Sequence, residues 1–196
     1  MTFPFGPPML IGRSIGNEWN PADKGAGVVL TDANLTGTID GATMYSVRAR
    51  KALASGKACF EVLVTNDSGI GNDAYFGIGT ASMALDNFIG ADAAGWSYRD
   101  TGQISNNGGD TGLEDYDPYE TGDVLTAYLD RTNNKLWFAK NGVVQGSGSP
   151  NPLTNTAGIS IAASTWFPAC GGRSGASYTL RDPRYTLSGF PPLRLP

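Results

Sequence analysis

Thr121-Gly122-Asp123-Val124-Leu125-Thr126-Ala127-Tyr128-Leu129-Asp130, then Arg131-Thr132-Asn133-Asn134, then Lys135-Leu136-Trp137-Phe138-Ala139-Lys140-Asn141-Gly142, is the stretch that decides the fold. From Val124 to Leu129 the side chains alternate, with Val124, Thr126 and Tyr128 opposed to Leu125, Ala127 and Leu129. A period of two is the signature of a strand. Residues 131–134 are turn formers, and Lys135–Lys140 returns as a second strand. Asn141-Gly142 is the strongest short turn dipeptide in the chain, because a tight hairpin turn needs φ > 0 at both central positions. Gly122-Asp123 opens the first strand and Asp130 closes it, since a glycine makes the bend and an aspartate accepts from turn backbone. Trp137 faces opposite Leu136 and Phe138, so one of these sets points away from the core. If Trp137 is the outer one, a loop, an arm or a partner must cover it.

The pattern continues in both directions. Val28–Thr31 and Leu35–Ile39 flank Asp32-Ala33-Asn34, which reads as a hairpin turn. Met44–Arg50 alternates, and Ala58–Thr65 places Phe60, Val62 and Val64 on one face. Tyr75-Phe76-Gly77-Ile78-Gly79 reads as a short buried strand whose glycines suggest a close backbone approach or a bend. Residues 82–122 read as long loops around two short strands near Trp96–Tyr98 and Gln103–Ser105. Further runs are Ile159–Ala163, Phe167–Cys170 and Ser177–Arg181. Regular helix is almost absent. Strand spacing near a dozen residues predicts an all-β, antiparallel two-sheet sandwich.

Composition agrees and narrows the chemistry. The chain has 196 residues, of which 27 are Gly and 12 Pro, and its charged fraction is 16%. It has no histidine, which removes Ser-His-Asp triads, Cys-His dyads, His-ligated zinc and imidazole bases together. A net charge of −4 argues against nucleic acid as a partner. Cys59 and Cys170 lie in apolar, strand-like stretches and read as buried free thiols. No apolar run reaches the roughly 18 residues of a membrane span, and MTFPFGPPMLIG lacks the basic region of a secretory signal.

Three regions are expected: an irregular, Pro-rich apolar arm over 1–19, a sandwich over 20–188, and a second Pro-rich tail over 189–196. Pro4, Pro7 and Pro8 forbid helix or central strand in the first. Phe3, Phe5, Met9, Leu10 and Ile11 make it too apolar for a solvated linker. It is read as an assembly arm that lies on its own domain or on a neighbour.

Several motifs occur in order: Ser55-Gly56-Lys57-Ala58-Cys59-Phe60-Glu61-Val62, Tyr75-Phe76-Gly77-Ile78-Gly79, Gly95-Trp96-Ser97-Tyr98, Thr121-Gly122-Asp123-Val124-Leu125, Ala127–Gly142, and Trp166-Phe167-Pro168-Ala169. Taken together, from about Trp19 to Phe190, they resemble a SPRY domain. That is a jelly-roll-like sandwich related in shape to concanavalin-type lectin folds. The opening, Trp19–Gly25 followed by Leu30–Thr36, is similar to stand-alone SPRY-like proteins of tailed bacteriophages and prophages. Two cysteines cannot build the RING partner that accompanies many eukaryotic SPRY domains. The resemblance implies a non-enzymatic virion component, a head fibre or decoration or a tail adaptor, made in the host cytoplasm and present as a homo-oligomer or in many copies. Its partners would be other virion proteins or a host-surface glycan or protein. A free carbohydrate-binding lectin is the alternative.

The candidate ligand-binding residues are Trp96, Tyr98, Tyr116 and Tyr119, because rigid aromatics in a loop-rich region give contact area at low entropy cost. The competing reading packs Trp96 and Tyr98 into the sandwich edge. The acidic run Asp110–Asp123 lacks the ordered oxygen-ligand spacing of a calcium loop and reads as a solvated loop. Glu61 is alone in its strand, so the carboxylate pair of a glycosidase is not visible. No catalytic residue, metal site or cofactor is expected.

Overall fold

The computed structural model describes residues 17–69, 71, 73–113 and 115–194. The expected assembly-arm residues Phe3, Phe5, Met9, Leu10 and Ile11 lie outside them. Among the described residues fifteen strands follow one another: β1 (Trp19–Lys24), β2 (Val28–Thr31), β3 (Thr36–Ile39), β4 (Tyr45–Ala49), β5 (Lys57–Asn66), β6 (Ala74–Gly79), β7 (Gly95–Arg99), β8 (Ile104–Asn106), β9 (Gly109–Asp110), β10 (Val124–Asp130), β11 (Lys135–Lys140), β12 (Val143–Val144), β13 (Ile159–Ser160), β14 (Phe167–Gly172) and β15 (Ser177–Arg181). The sole helical element among the described residues is a single 3-10 turn at Pro152–Thr154. The strands form two antiparallel sheets. One runs β1-β4-β14-β6-β7-β8-β9; the other runs β12-β11-β10-β5-β15-β3-β2, with β13 paired to β11.

The stretch that opened the sequence reading is the middle of the larger sheet. β10 pairs with β11 from Leu125↔Lys140 to Asp130↔Lys135, and with β5 from Val124↔Leu63 to Asp130↔Lys57. Asp130 accepts the amides of Thr132 and Asn133 at 2.9 and 3.0 Å. Asp123 accepts the amide of Glu120 at 2.9 Å. Asn141 and Gly142 both have positive φ, 49° and 84°. Gly77 is required for another reason: a Cβ there would collide with the Trp96 carbonyl on the paired strand β7.

The core between the sheets is aromatic and aliphatic. Phe60 of β5 meets Phe76 of β6 across the layers at 5.3 Å, and Phe76 meets Phe138 at 5.8 Å. Trp19, at the arm boundary, is fully buried and donates its indole N–H to the Tyr178 carbonyl at 3.3 Å. Cys170 belongs to this inner cluster, whereas Cys59 belongs to a separate one with Tyr128, Trp137, Ala139 and Phe190. The two free thiols are therefore separated by the larger sheet, Cys59 on its outer face and Cys170 reaching the core from β14 of the smaller sheet.

Leu136 and Phe138 point inward and Trp137 points out, so the tryptophan needs a cover. The C-terminal segment supplies it. Phe190 stands edge-on to Tyr128 at 5.7 Å and to Trp137 at 6.3 Å. The Trp137 indole N–H donates to the Thr156 carbonyl at 2.9 Å. Beyond the end of β15 at Arg181, the tail also occupies the vacant edge of β5. The Cys59 amide donates to Pro191 and Leu193 donates to Cys59, at 2.9 and 2.8 Å.

Four buried charges, Arg48, Glu61, Asp73 and Asp130, are paired. Glu61, fully buried on the outer face, accepts the amides of Arg184 and Tyr185 at 3.0 and 3.2 Å and faces Arg181 at 3.2 Å. Asp130 pairs with Lys57 at 2.9 Å, Asp73 with Arg173 at 2.5 Å, and Arg48 with Asp23 at 2.6 Å. Burial pushes the Cys59 thiol up to about 12, helped by the Glu61 charge.

Two outcomes follow. Phe190→Ala should cost roughly 3 kcal/mol in denaturant unfolding, the usual loss for a buried phenylalanine. It should also make Cys59 reactive to a thiol reagent that leaves the wild type untouched. Burial alone would raise the Asp130 pKa, but hydrogen bonds from Asn133 and Lys57 outweigh it and hold the carboxyl below its ordinary value. Its contribution to stability is therefore complete above about pH 4 and disappears as pH falls through the lowered folded value. Asp130→Asn should flatten the acid limb of a pH–stability curve; an unchanged limb would disprove the assignment.

Candidate binding site

The sequence nominated four aromatic residues, and the structure divides them. Tyr98 and Tyr119 are core residues, 0% and 3% exposed, so neither offers a ring to a ligand. The physical reason is strand register. Tyr98 pairs with Phe76 and shares its inward side of the smaller sheet. Tyr119 enters the core beside it, with ring centroids 5.2 Å apart, and its hydroxyl bonds that of Tyr178 at 2.9 Å. Trp96 is half-buried and packs against the inner cluster. Tyr116 is half-buried and lines a groove.

That groove, about 250 Å³, lies between residues 111–118 and 145–159. Leu113, Tyr116, Ala157 and Ile159 line it together with Gly146, Ser147 and Gly158. Leu113 is 40% exposed, and Leu153 on the facing loop is 55% exposed. Leu113 thus leaves apolar surface open at the groove.

The acidic loop is fixed from beneath. The buried Tyr98 hydroxyl donates to the Asp117 carbonyl, and the Tyr98 ring meets Tyr116 edge-on at 5.5 Å. Gln145 accepts the Asp117 amide at 3.0 Å. Gly146 donates to the Asp115 carbonyl at 2.9 Å, and the Lys140 ammonium donates to the Pro118 carbonyl at 2.6 Å. Tyr98 and Tyr119 thus form the pedestal on which Tyr116 stands. Burial, then the nearby Asp117 and Asp123 charges, raise the Tyr98 pKa, so it remains a phenol donor at neutral pH. Burial pushes Tyr116 up to about 12, with the same result.

Charge is uneven across the groove. Asp115 and Asp117 flank Tyr116 and are exposed, whereas residues 145–159 contain no charged side chain. Among the described residues, no group of three or more Asp, Glu or Cys is placed to hold a metal ion. Gln145, Gly146 and Gly158 carried no sequence signal as site residues. Their roles come from the return of β12 and β13 beside β11.

Removing the Tyr98 hydroxyl as Tyr98→Phe should cost about 1 kcal/mol, a single hydrogen bond. Amide exchange should quicken at residues 115–117 and stay unchanged in β10. Uniform acceleration across the sheet would contradict a local pedestal.

No family model and no curated protein sequence matches the chain. Solved structures do. The SPRY domain of human HERC1 superposes with a TM-score of 0.67 at 17% identity, covering 85% of this chain and 98% of that one. The TRIM65 PSpry domain gives 0.63 at 14% identity, covering 84% and 91%. The sandwich is therefore the SPRY fold, as the ordered motifs implied. Among the described residues, no helix is long and apolar enough to cross a membrane.

Proposed function

We propose that this chain is a non-catalytic binding module that grips a protein segment in the groove beside Tyr116, and that it serves as a multicopy structural component of a tailed-phage particle. The observation that carries the first half is the pre-formed groove. An apolar lining sits on a loop anchored by the Tyr98 hydroxyl, Gln145 and Lys140, so little order is lost on binding. The buried acids Glu61, Asp73 and Asp130 are held in structural ion pairs instead of converging on a cleft. A protein segment suits the groove, because the aliphatic side chains of Leu113, Ala157 and Ile159 line it beside Tyr116. The exposed carboxylates of Asp115 and Asp117 favour a segment whose apolar side chain is flanked by Lys or Arg. The virion half rests on the likeness of Trp19–Gly25 and Leu30–Thr36 to phage-encoded SPRY-like chains.

Tailed particles purified from a host carrying the gene should contain the chain by quantitative mass spectrometry. A photo-crosslinking amino acid at Leu113 should yield one adduct with another particle protein. Asp115→Lys with Asp117→Lys should keep the melting temperature and reduce that adduct on the order of tenfold, equivalent to about 1.4 kcal/mol. Absence from particles would remove the virion role. Glycan-array binding abolished by Tyr116→Ala would replace this reading with the lectin one.

A further inference from the structure

Asparagine followed by glycine occurs twice in the chain, at Asn107-Gly108 and Asn141-Gly142. This dipeptide can react with itself, because glycine has no Cβ to keep its amide nitrogen away from the neighbouring carboxamide. Both pairs form tight turns with positive φ at each residue, 53° and 93° in the first and 49° and 84° in the second. The dipeptides are chemically alike, and their surroundings differ.

Asn141 is locked. Its Nδ2 donates to Asp123 at 2.7 Å, and its Oδ1 accepts the Val124 amide at 2.9 Å. Its own amide donates to the Val124 carbonyl at 2.8 Å. The Tyr185 ring lies so close to Gly142 that a Cβ there would collide with it. Turning the Asn141 carboxamide toward Gly142 therefore breaks two side-chain hydrogen bonds at the start of β10.

Asn107 has neither restraint. It is exposed, and among the described residues its carboxamide has no hydrogen-bond partner. Its hairpin joins β8 to β9 through two residue pairs, Ser105↔Asp110 and Asn106↔Gly109, and β9 is the last strand of the smaller sheet. Backbone bonds hold the turn: Asn107 donates to the Asp92 carbonyl at 3.1 Å and Gly108 to the Gly90 carbonyl at 2.9 Å. The second of these must open before the Gly108 nitrogen can react. A short, exposed hairpin at a sheet edge opens at lower cost than the middle of a sheet.

We propose that Asn107-Gly108 is the site of spontaneous deamidation in the folded chain, and that Asn141-Gly142 is protected by its hydrogen bonds. Solvent hydroxide removes the Gly108 amide proton, and the nitrogen attacks Asn107 Cγ. The N–Cγ bond forms, the Cγ–Nδ2 bond breaks, and Nδ2 leaves as ammonia after taking a proton from water. Water then opens the cyclic imide and returns a proton to the Gly108 nitrogen. Attack at Cγ gives aspartate, and attack at the backbone carbonyl carbon gives isoaspartate. No electrons change hands. Both products add one negative charge to a hairpin that already carries Asp110. Isoaspartate also lengthens the main chain by a methylene, so the two-residue turn loses its register. The site is independent of the Tyr116 groove and of the partner proposed for it.

The test incubates the full folded chain in warm, mildly alkaline buffer and quantifies both sites by peptide mapping, with isoaspartate identified by electron-transfer fragmentation. Turnover at Asn107 should exceed that at Asn141 on the order of tenfold or more, the suppression that two intact hydrogen bonds imply. In denaturant the two rates should converge, because the same dipeptide reacts at both. Asp123→Ala, with its fold checked by near-ultraviolet circular dichroism, should raise turnover at Asn141 and leave Asn107 at the wild-type rate. Equal rates in the folded chain, faster loss at Asn141, or an Asn107 that reacts in denaturant and not in the folded chain overturns the proposal.

Discussion

The larger sheet of this protein carries large apolar side chains on both faces, and covering them shapes much of the rest. Its inner face is closed by the smaller sheet, where Phe60, Phe76 and Phe138 interlock. Its outer face presents Cys59, Tyr128 and Trp137, which water would leave as an apolar patch. Contact between Phe190 and the two outer aromatics removes that patch. A large hydrophobic side chain supplies the driving force, while backbone bonds at Cys59 set the register. The strand edge left open where β15 stops at Arg181 is closed by the same segment, so one element meets two needs.

Glu61 shows how a polar group is fitted into that arrangement. A buried carboxylate is tolerated when its oxygens are met, and here the turn after β15 meets them with two amides and Arg181. Glu61 is the single acid of its strand. Its surroundings make it a clasp between the sheet and residues 181–185. Asp130 and Asp73 follow the same logic at other strand ends, each matched by one cation. The charged interior of this sandwich is spent on holding turns and crossings in place.

At the loop end the logic is reversed. Residues 115–118 are held by what lies beneath them, chiefly the Tyr98 hydroxyl and Gln145. A rigid sandwich presenting fixed loops is a general way to build recognition surfaces, because the scaffold bears the entropy of ordering before a partner arrives. The likeness to the HERC1 and TRIM65 domains at 17% and 14% identity extends to the scaffold.

The strands, their hairpin turns and the two-sheet class were legible in the residues, because each is written locally. Alternation marks β10 and β11, Asp130 and Asn141-Gly142 mark their turns, and Gly77 marks the close approach to β7. Sequence also singled out the aromatic residues near the candidate groove, but not which of them borders it. Alternation says that neighbouring side chains oppose one another, and it is silent on which side is solvent. Tertiary packing decided that Tyr98 and Tyr119 go in while Tyr116 borders the groove, that Trp137 points out, and that Phe190 from more than 50 residues away covers it. Those choices depend on contacts between segments distant along the chain, and a one-dimensional pattern carries no record of which segments will meet.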